Sequence, residues 1–344
     1  MKPLIVAPTS LLKNQWIENI EELGIEKSDI ATKIWDAPDK KVCVVTISAL
    51  ENALRDDWNG LMKTLDRSAF GIKVIDEAHL HLKGVLRFDA ICNIKHNWYL
   101  SATLGRSDAS EDRILNRALL DAERFVGNSS YEEYQHEYVQ VYLQDIYYFP
   151  SNKLCEKHFK YGAKGLIRAT YYRMLMDYRN GKAFINNIIT VIKRSRGLCD
   201  YGKMVVIVPL IDTIKLVLQY MKQDPFFQKM KISYVDGSLK MSERRAAMEC
   251  DIILSTTMSM GTGVDVADLA ILINFDGLKS SITSEQTAGR LRRRKDDKTC
   301  FYVDICDHVR QAKVFANWSA QRRMLLKYFP GIKSEMKKFP NIYS

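Results

Sequence analysis

The chain has 344 residues, of which 47% are hydrophobic and 27% charged, and its formal net charge is +10. That length supports two cores, and no apolar run approaches the roughly 18 residues that a membrane-spanning helix needs. The seven cysteines stand at 43, 92, 155, 199, 250, 300 and 306 with no C-x-x-C pair. This argues against a structural zinc site or a disulfide framework, and it suits a reducing cytoplasm.

Charge is uneven along the chain. Residues 1–135 hold 17 Lys and Arg against 21 Asp and Glu, whereas residues 136–344 hold 34 against 20. The second half is therefore the candidate footprint for a polyanion, although many basic faces are merely solvated.

In chain order, Leu4–Ala7 reads as a buried strand, too short and too soon interrupted for a secretory signal. Leu11–Leu23 reads as a helix with Leu11, Leu12, Trp16, Ile20 and Leu23 on one face and Ser10 as its N-cap. Val42–Thr46, Ile72–Ile75 and Trp98–Leu100 read as short strands, and Glu111–Leu120 as a helix. Composition shifts near residues 130–137, where we place the domain junction, dividing the chain into 1–135 and 136–344. His136–Tyr148 alternates as a strand does, and Arg168–Arg194 reads as one or two helices broken at Asn180-Gly181. A second strand series follows at Lys203–Pro209, Lys231–Val235, Ile252–Ser255, Ala270–Asn274 and Thr299–Val303, and Val309–Lys327 reads as helical. Strands alternating with helices predict an α/β fold with mostly parallel sheets.

Chemistry concentrates at three places. Asp76-Glu77-Ala78-His79 follows a short apolar strand, where open α/β sheets place their ligands. One carboxylate there can hold Mg²⁺ while its neighbour orients and deprotonates a water, and phosphoryl transfer needs little more than that with cations on the developing charge. Ser101-Ala102-Thr103 ends the next strand. Gln286-x-x-Gly289-Arg290-x-x-Arg293 lies far downstream, its two arginines three apart and expected on one helical face. A plain basic patch is the other reading of Arg290–Lys295.

In this order and spacing the motifs resemble those of superfamily 2 DEAH-box helicases, with a phage-like or viral flavour, over nearly the whole chain. The resemblance implies two RecA-like domains, ATP and Mg²⁺ as cofactors, and nucleic acid, DNA before RNA, as partner. It implies that Asp76 serves the metal, Glu77 the water and His79 the readout of the triphosphate. It further implies that Gln286 contacts the γ-phosphate or the attacking water, with Arg290 and Arg293 as arginine fingers. Gly263 and Asp265 of the Thr257…Gly263-Val264-Asp265 motif would face the nucleotide, although Ala267 stands where the family often has proline. Pro8, Thr9, Ser10, Thr46, Gly237, Ser238 and Thr257 match positions that contact the nucleic-acid backbone. An N-cap without a ligand is an equal reading of the Thr9-Ser10 turn. Ser101 and Thr103 match the motif that couples hydrolysis to nucleic-acid binding.

One motif has no counterpart. A Gly-x-x-x-x-Gly-Lys-Ser/Thr phosphate loop occurs nowhere in the 344 residues. The first domain is accordingly expected to be N-terminally incomplete, with the Trp98–Leu100 strand as an open sheet edge. The expected function is an ATP-dependent helicase or translocase that unwinds DNA or remodels branched DNA. Its phosphate loop would come from upstream or from a partner chain, and the isolated chain would be weak or inactive. The alternative is a non-catalytic nucleic-acid-binding subunit derived from a helicase. A cytoplasmic location, the host's if the protein is viral, goes with either reading.

Overall fold

A computed structural model describes the chain except residues 79–80, 102–112, 115–116, 118–136, 163–164, 258, 260–265, 278–286, 328–330 and 333–334. The chain divides into two compact units, residues 1–124 and 125–344. This division and the expected junction at 135/136 both fall outside the described residues, as does most of the Glu111–Leu120 helix.

Unit 1 runs β1 (Lys2–Ala7), α1 (Ser10–Glu22), β2 (Ile30–Ala31), β3 (Val42–Thr46), α2 (Ile47–Asp56), α3 (Trp58–Ser68), β4 (Phe70–Ile75), α4 (Leu82–Ile91) and β5 (His96–Tyr99). The strands form one sheet in the order β2-β3-β1-β4-β5, parallel throughout. Successive side chains of a strand point to opposite faces. Leu4, Val6, Cys43 and Val45 accordingly join one core, with Leu50 of α2 and Leu61 of α3, while Ile5, Val42 and Val44 join a second core with Ile17 and Ile20 of α1. Burial on both faces explains why these strands read as unbroken apolar runs.

Two helix expectations change. Thr9, not Ser10, caps α1: its backbone is extended and its hydroxyl accepts from the Leu12 amide at 3.3 Å, while Ser10 is already helical. Leu23 is not on the packed face; it is 82% exposed, because Glu22 ends the helix and Gly24 (φ +89) turns the chain away. The expected Val42–Thr46 strand runs directly into a helix. Thr46 caps α2 by accepting from Ala49 N at 3.2 Å.

Unit 2 runs β6 (Val139–Tyr148), α5 (Asn152–His158), β7 (Tyr161–Gly162), β8 (Gly165–Leu166), α6 (Arg168–Asp177), α7 (Lys182–Arg196), β9 (Lys203–Ile207), α8 (Ile211–Gln223), β10 (Ile232–Val235), α9 (Met241–Met248), β11 (Ile252–Ser255), β12 (Leu269–Asn274), β13 (Cys300–Val309), α10 (Lys313–Leu326), β14 (Lys337–Lys338) and β15 (Ile342–Tyr343). Its sheet has the order β10-β11-β9-β12-β13-β6-β14, β15 also pairs with β6, and every pairing is parallel. β7 and β8 form a separate antiparallel hairpin.

The expected break in the Arg168–Arg194 helix is present. Arg179, Asn180 and Gly181 have φ of 50, 55 and 74°. A Cβ on Gly181 would lie 2.7 Å from the Met176 carbonyl oxygen, so glycine alone fits that corner. β13 continues to Val309, past the expected end at Val303, because β6 matches it residue for residue from Val139 to Tyr148. The helix expected from Val309 therefore starts at Lys313.

Charge is buried beneath α10. Arg322 Nε donates to Asp304 Oδ1 at 2.6 Å and Arg323 Nε to Asp304 Oδ2 at 2.8 Å, while Arg323 Nη1 reaches Asp145 Oδ1 at 2.7 Å. Arg322 and Asp304 are both fully buried, so each depends on the other to keep its charge.

Candidate functional site

In unit 1 the candidate residues gather at the carboxyl ends of adjacent strands. Pro8 and Thr9 form the β1–α1 turn, Ser10 opens α1, Thr46 ends β3, Asp76 and Glu77 follow β4, and Ser101 follows β5 by two residues. Because β3, β1, β4 and β5 are neighbours and parallel, these residues share one edge of the sheet. Pro8 is buried, Thr9 and Thr46 are half-buried, and Ser10 is exposed. The amides of the first turns of α1 and α2 also open on this edge, a chemistry suited to phosphate.

The Asp76-Glu77 turn is held from both sides. The Asp76 amide donates to the Val6 carbonyl at 2.9 Å. On the other side Leu100 N donates to Ile75 O at 2.8 Å, and Ala78 N donates to Leu100 O at 3.1 Å. Leu100 thus grips the chain before and after the two carboxylates, and Ser101 is its next residue. Glu77 has φ +46, a left-handed backbone that non-glycine residues seldom adopt and that concentrates at functional sites. Trp16 Nε1 donates to Asp76 Oδ2 at 2.9 Å. Sequence reasoning placed Trp16 on the packed face of α1 and missed this bond. The pattern could have signalled it, since an indole that is only partly buried seeks an acceptor.

Sequence reasoning also missed a polar bridge under the turn. Lys73, in β4, is 1% exposed and ion-paired with Asp89 of α4, whose Oδ2 accepts from the Tyr99 hydroxyl at 2.7 Å. Burial, and then the bond to Asp89, push the Tyr99 hydroxyl well above its usual range. β4, β5 and α4 are cross-linked in this way beneath Asp76 and Glu77.

In unit 2, Gly237 and Ser238 follow β10. Ser238 donates to Asp236 Oδ1 through its amide at 2.8 Å and its hydroxyl at 2.6 Å, and Arg244 Nη2 donates to the Asp236 carbonyl at 2.9 Å. Burial opposes the Asp236 charge, but the Ser238 bonds prevail and hold the carboxyl below its usual value. Gly237 has open space where a Cβ would stand. Thr257 follows β11, is buried, and donates to Asp276 Oδ2, whose Oδ1 pairs with Arg168. Its hydroxyl proton is thus engaged inside the unit.

The arginines depart from expectation. Thr287 and Ala288 are helical and Arg290 follows in a turn, its amide donating to Thr287 O at 3.2 Å. Arg293 lies in irregular backbone, so Arg290 and Arg293 do not share a helical face. Leu291 is buried at that point, and Arg293 Nε bonds Asp297 Oδ1 at 2.8 Å. Arg294, read as part of a basic patch, is structural: it pairs with Asp268 and Asp296 and lies 5.0 Å from the centre of the Tyr201 ring. His79, Thr103, Gly263, Asp265 and Gln286 lie outside the described residues.

Two groups suggest metals. Asp76 and Glu77 offer hard carboxylate oxygens, half-buried at a strand end, the donor type that Mg²⁺ takes. Asp145, Cys306 and His308 have donor atoms within 4.8 Å of one another. There, however, Arg323 already occupies Asp145 Oδ1, so this trio is part of the ion-pair network under α10.

Known proteins bear on both units. Residues 1–106 match the model described as type III restriction enzyme, res subunit, and residues 187–295 match the helicase conserved C-terminal domain. Together these matches support a superfamily 2 helicase. No curated protein matches by sequence. Among solved structures, the chain is similar to S. cerevisiae Dbp5 bound to RNA and ADP BeF3, with a TM-score of 0.61 and 15% identity over 98% of this chain and 77% of that one. A variant of the same yeast protein bound to a Gle1 variant and IP6 gives 0.57 and 16%, over 98% and 76%. T4 UvsW gives 0.40 and 15%, over 99% and 68%. At these identities the likeness is one of fold: an α/β architecture of two RecA-like domains with mostly parallel sheets.

Proposed function

We propose that the chain is an ATP-dependent nucleic-acid helicase or translocase, acting on DNA by unwinding or by remodelling branches. The observation that carries this reading is the Asp76-Glu77 turn, strained at Glu77 and gripped by Leu100 immediately before Ser101. In this reading Asp76 holds Mg²⁺, which supplies positive charge to the phosphates. The Glu77 carboxylate takes the proton from the attacking water. Trp16 keeps Asp76 aimed. Arg290 and Arg293 place charge on the transferring phosphate, with Arg293 leaving Asp297 to do so. Gln286, Gly263, Asp265 and His79 join them by resemblance. Pro8, Thr9, Ser10, Thr46, Gly237 and Ser238 line the path of the nucleic-acid backbone, the buried Thr257 joins them only by leaving Asp276, and Ser101 and Thr103 couple the path to hydrolysis.

The phosphate loop comes from an upstream segment or a partner chain. β5 supports this assignment: it pairs only with β4 among the described residues, and Trp98 on it is 60% exposed. An open parallel edge of this kind accepts a further strand.

The test is ATP turnover of the chain alone and with a phosphate-loop polypeptide added. Turnover should be low alone and rise on addition. Glu77→Gln should then lower it by about 10²-fold or more, with nucleotide binding kept. Arg293→Ala should also lower turnover while nucleic-acid affinity stays nearly constant, since one cation among many phosphate contacts changes little. Turnover that survives Glu77→Gln would make the turn structural and end the enzyme reading.

A further inference from the structure

The segment between β6 and α7 is unusually basic. Residues 149–181 carry seven Lys and Arg against two Asp and Glu, a net of +5. Within it the β7–β8 hairpin is firmly rooted. Ile167 N donates to Lys160 O at 2.8 Å, and Lys160 N donates to Thr170 Oγ1 at 3.3 Å. Leu166 enters the core of unit 2, and the Phe159 ring packs against that of Tyr171 with centroids 6.4 Å apart.

From this fixed base Tyr161 stands 69% exposed, and it makes no ring contact among the described residues. Tyr148, Tyr171, Tyr172, Tyr178 and Tyr302 of the same unit are all buried. Lys160, beside Tyr161, is exposed, and so is Ile167, whose side chain lies against Gly162. The hairpin also has a fixed address. Arg168, at its exit, pairs with Asp276, and Asp276 accepts from Thr257. The exit of the hairpin and the segment that follows β11 therefore share one carboxylate at the carboxyl end of the sheet.

An exposed ring on a rooted hairpin, within a basic segment, is the chemistry that binds single strands. Bases stack on the ring whatever their sequence, and the cations meet the backbone. We propose that Tyr161 is a stacking platform for one base of a single-stranded nucleic acid, with Lys160 on the adjacent phosphate. The platform is additional to the motif residues and rests on the nucleic-acid reading above.

The test uses the whole chain and fluorescence anisotropy with oligothymidylate, oligouridylate and a blunt DNA duplex. Tyr161→Ala should weaken single-strand binding about tenfold and leave duplex binding and the melting temperature unchanged. Tyr161→Phe should bind as the unsubstituted chain does. Tyr161→Trp should also bind, and the indole emission it adds should be quenched by the single strand. Lys160→Ala should lower the salt slope by about one contact. The thymidylate and uridylate arms say whether the strand is DNA or RNA. Unchanged single-strand affinity in Tyr161→Ala, an equal loss on the duplex, or an added emission in Tyr161→Trp that ignores the strand each overturns the proposal. Binding that is intact but indifferent to Tyr161 defeats the hairpin alone. A chain that binds no nucleic acid at all defeats the nucleic-acid reading and the hairpin with it.

Discussion

β5 and β6 both belong to parallel sheets, yet they end in different surroundings. β6 has β13 on one side and β14 and β15 on the other. Its polar residues are buried because the tail receives them: Gln140 Nε2 donates to Glu335 O at 2.7 Å and Gln144 Nε2 to Pro340 O at 3.0 Å. Ser344 adds contacts to Tyr178 and Asn187. β5 has β4 alone among the described residues, and His96, Asn97 and Trp98 are exposed. A strand thus becomes interior through what lies beside it more than through its own composition. A bare edge is either a liability or a docking place.

The comparison can be tested at several points. The largest effect is expected where the closed side is sealed by charge. Arg322→Met strands Asp304 in the core with only Arg323 to hold it, and urea unfolding should show a loss of about 3 kcal/mol. A loss as small as that of an exposed pair would mean that Arg322 contributes little to the sealing. Deleting Lys337–Ser344 comes next. It strips β14 and β15 from the side of β6, so the melting temperature should fall by several degrees and light scattering should reveal concentration-dependent association. An unchanged, monomeric deletion variant would show the tail to be ornamental.

A pH effect of intermediate size is expected at Asp307, on β13. Burial pushes its carboxyl from an ordinary 3.8 up to about 7. A carboxyl raised in the fold contributes stability that is present below its unfolded value and lost as pH rises through the folded one. Unfolding free energy should therefore fall between about pH 4 and 7, and Asp307→Asn should flatten that slope. Identical pH profiles for the two proteins would refute the assignment. The smallest effect belongs to β5. Trp98→Lys should change stability by no more than about 0.5 kcal/mol while suppressing self-association, and it should also impair any gain from an added phosphate-loop strand. If association is unaffected, the edge is protected by other means.

Much of the fold was legible because apolar runs such as Val42–Thr46 and Ile252–Ser255 are the residues that a doubly covered parallel strand requires. The corner at 179–181 was visible through Asn180-Gly181. What was not legible depends on partners distant in sequence. β14 is only Lys337-Lys338, and nothing in two lysines announces a strand until β6 is beside them. Lys73 puts a charge inside the apolar run of β4, and Asp89 makes it a core residue. At the candidate site the residue types of Asp76, Glu77 and Thr9 could be read locally. The indole of Trp16 that aims Asp76, and the Asp276 that engages Thr257, could not.

The grip of Leu100 on the Asp76-Glu77 turn is made by main-chain atoms alone. Side-chain replacement at Ala78 or Leu100 leaves both bonds in place, and only proline, which has no amide hydrogen, removes one. The connection from carboxylates to Ser101 is therefore insensitive to drift in residue identity, and alanine scanning would pass over it without a signal.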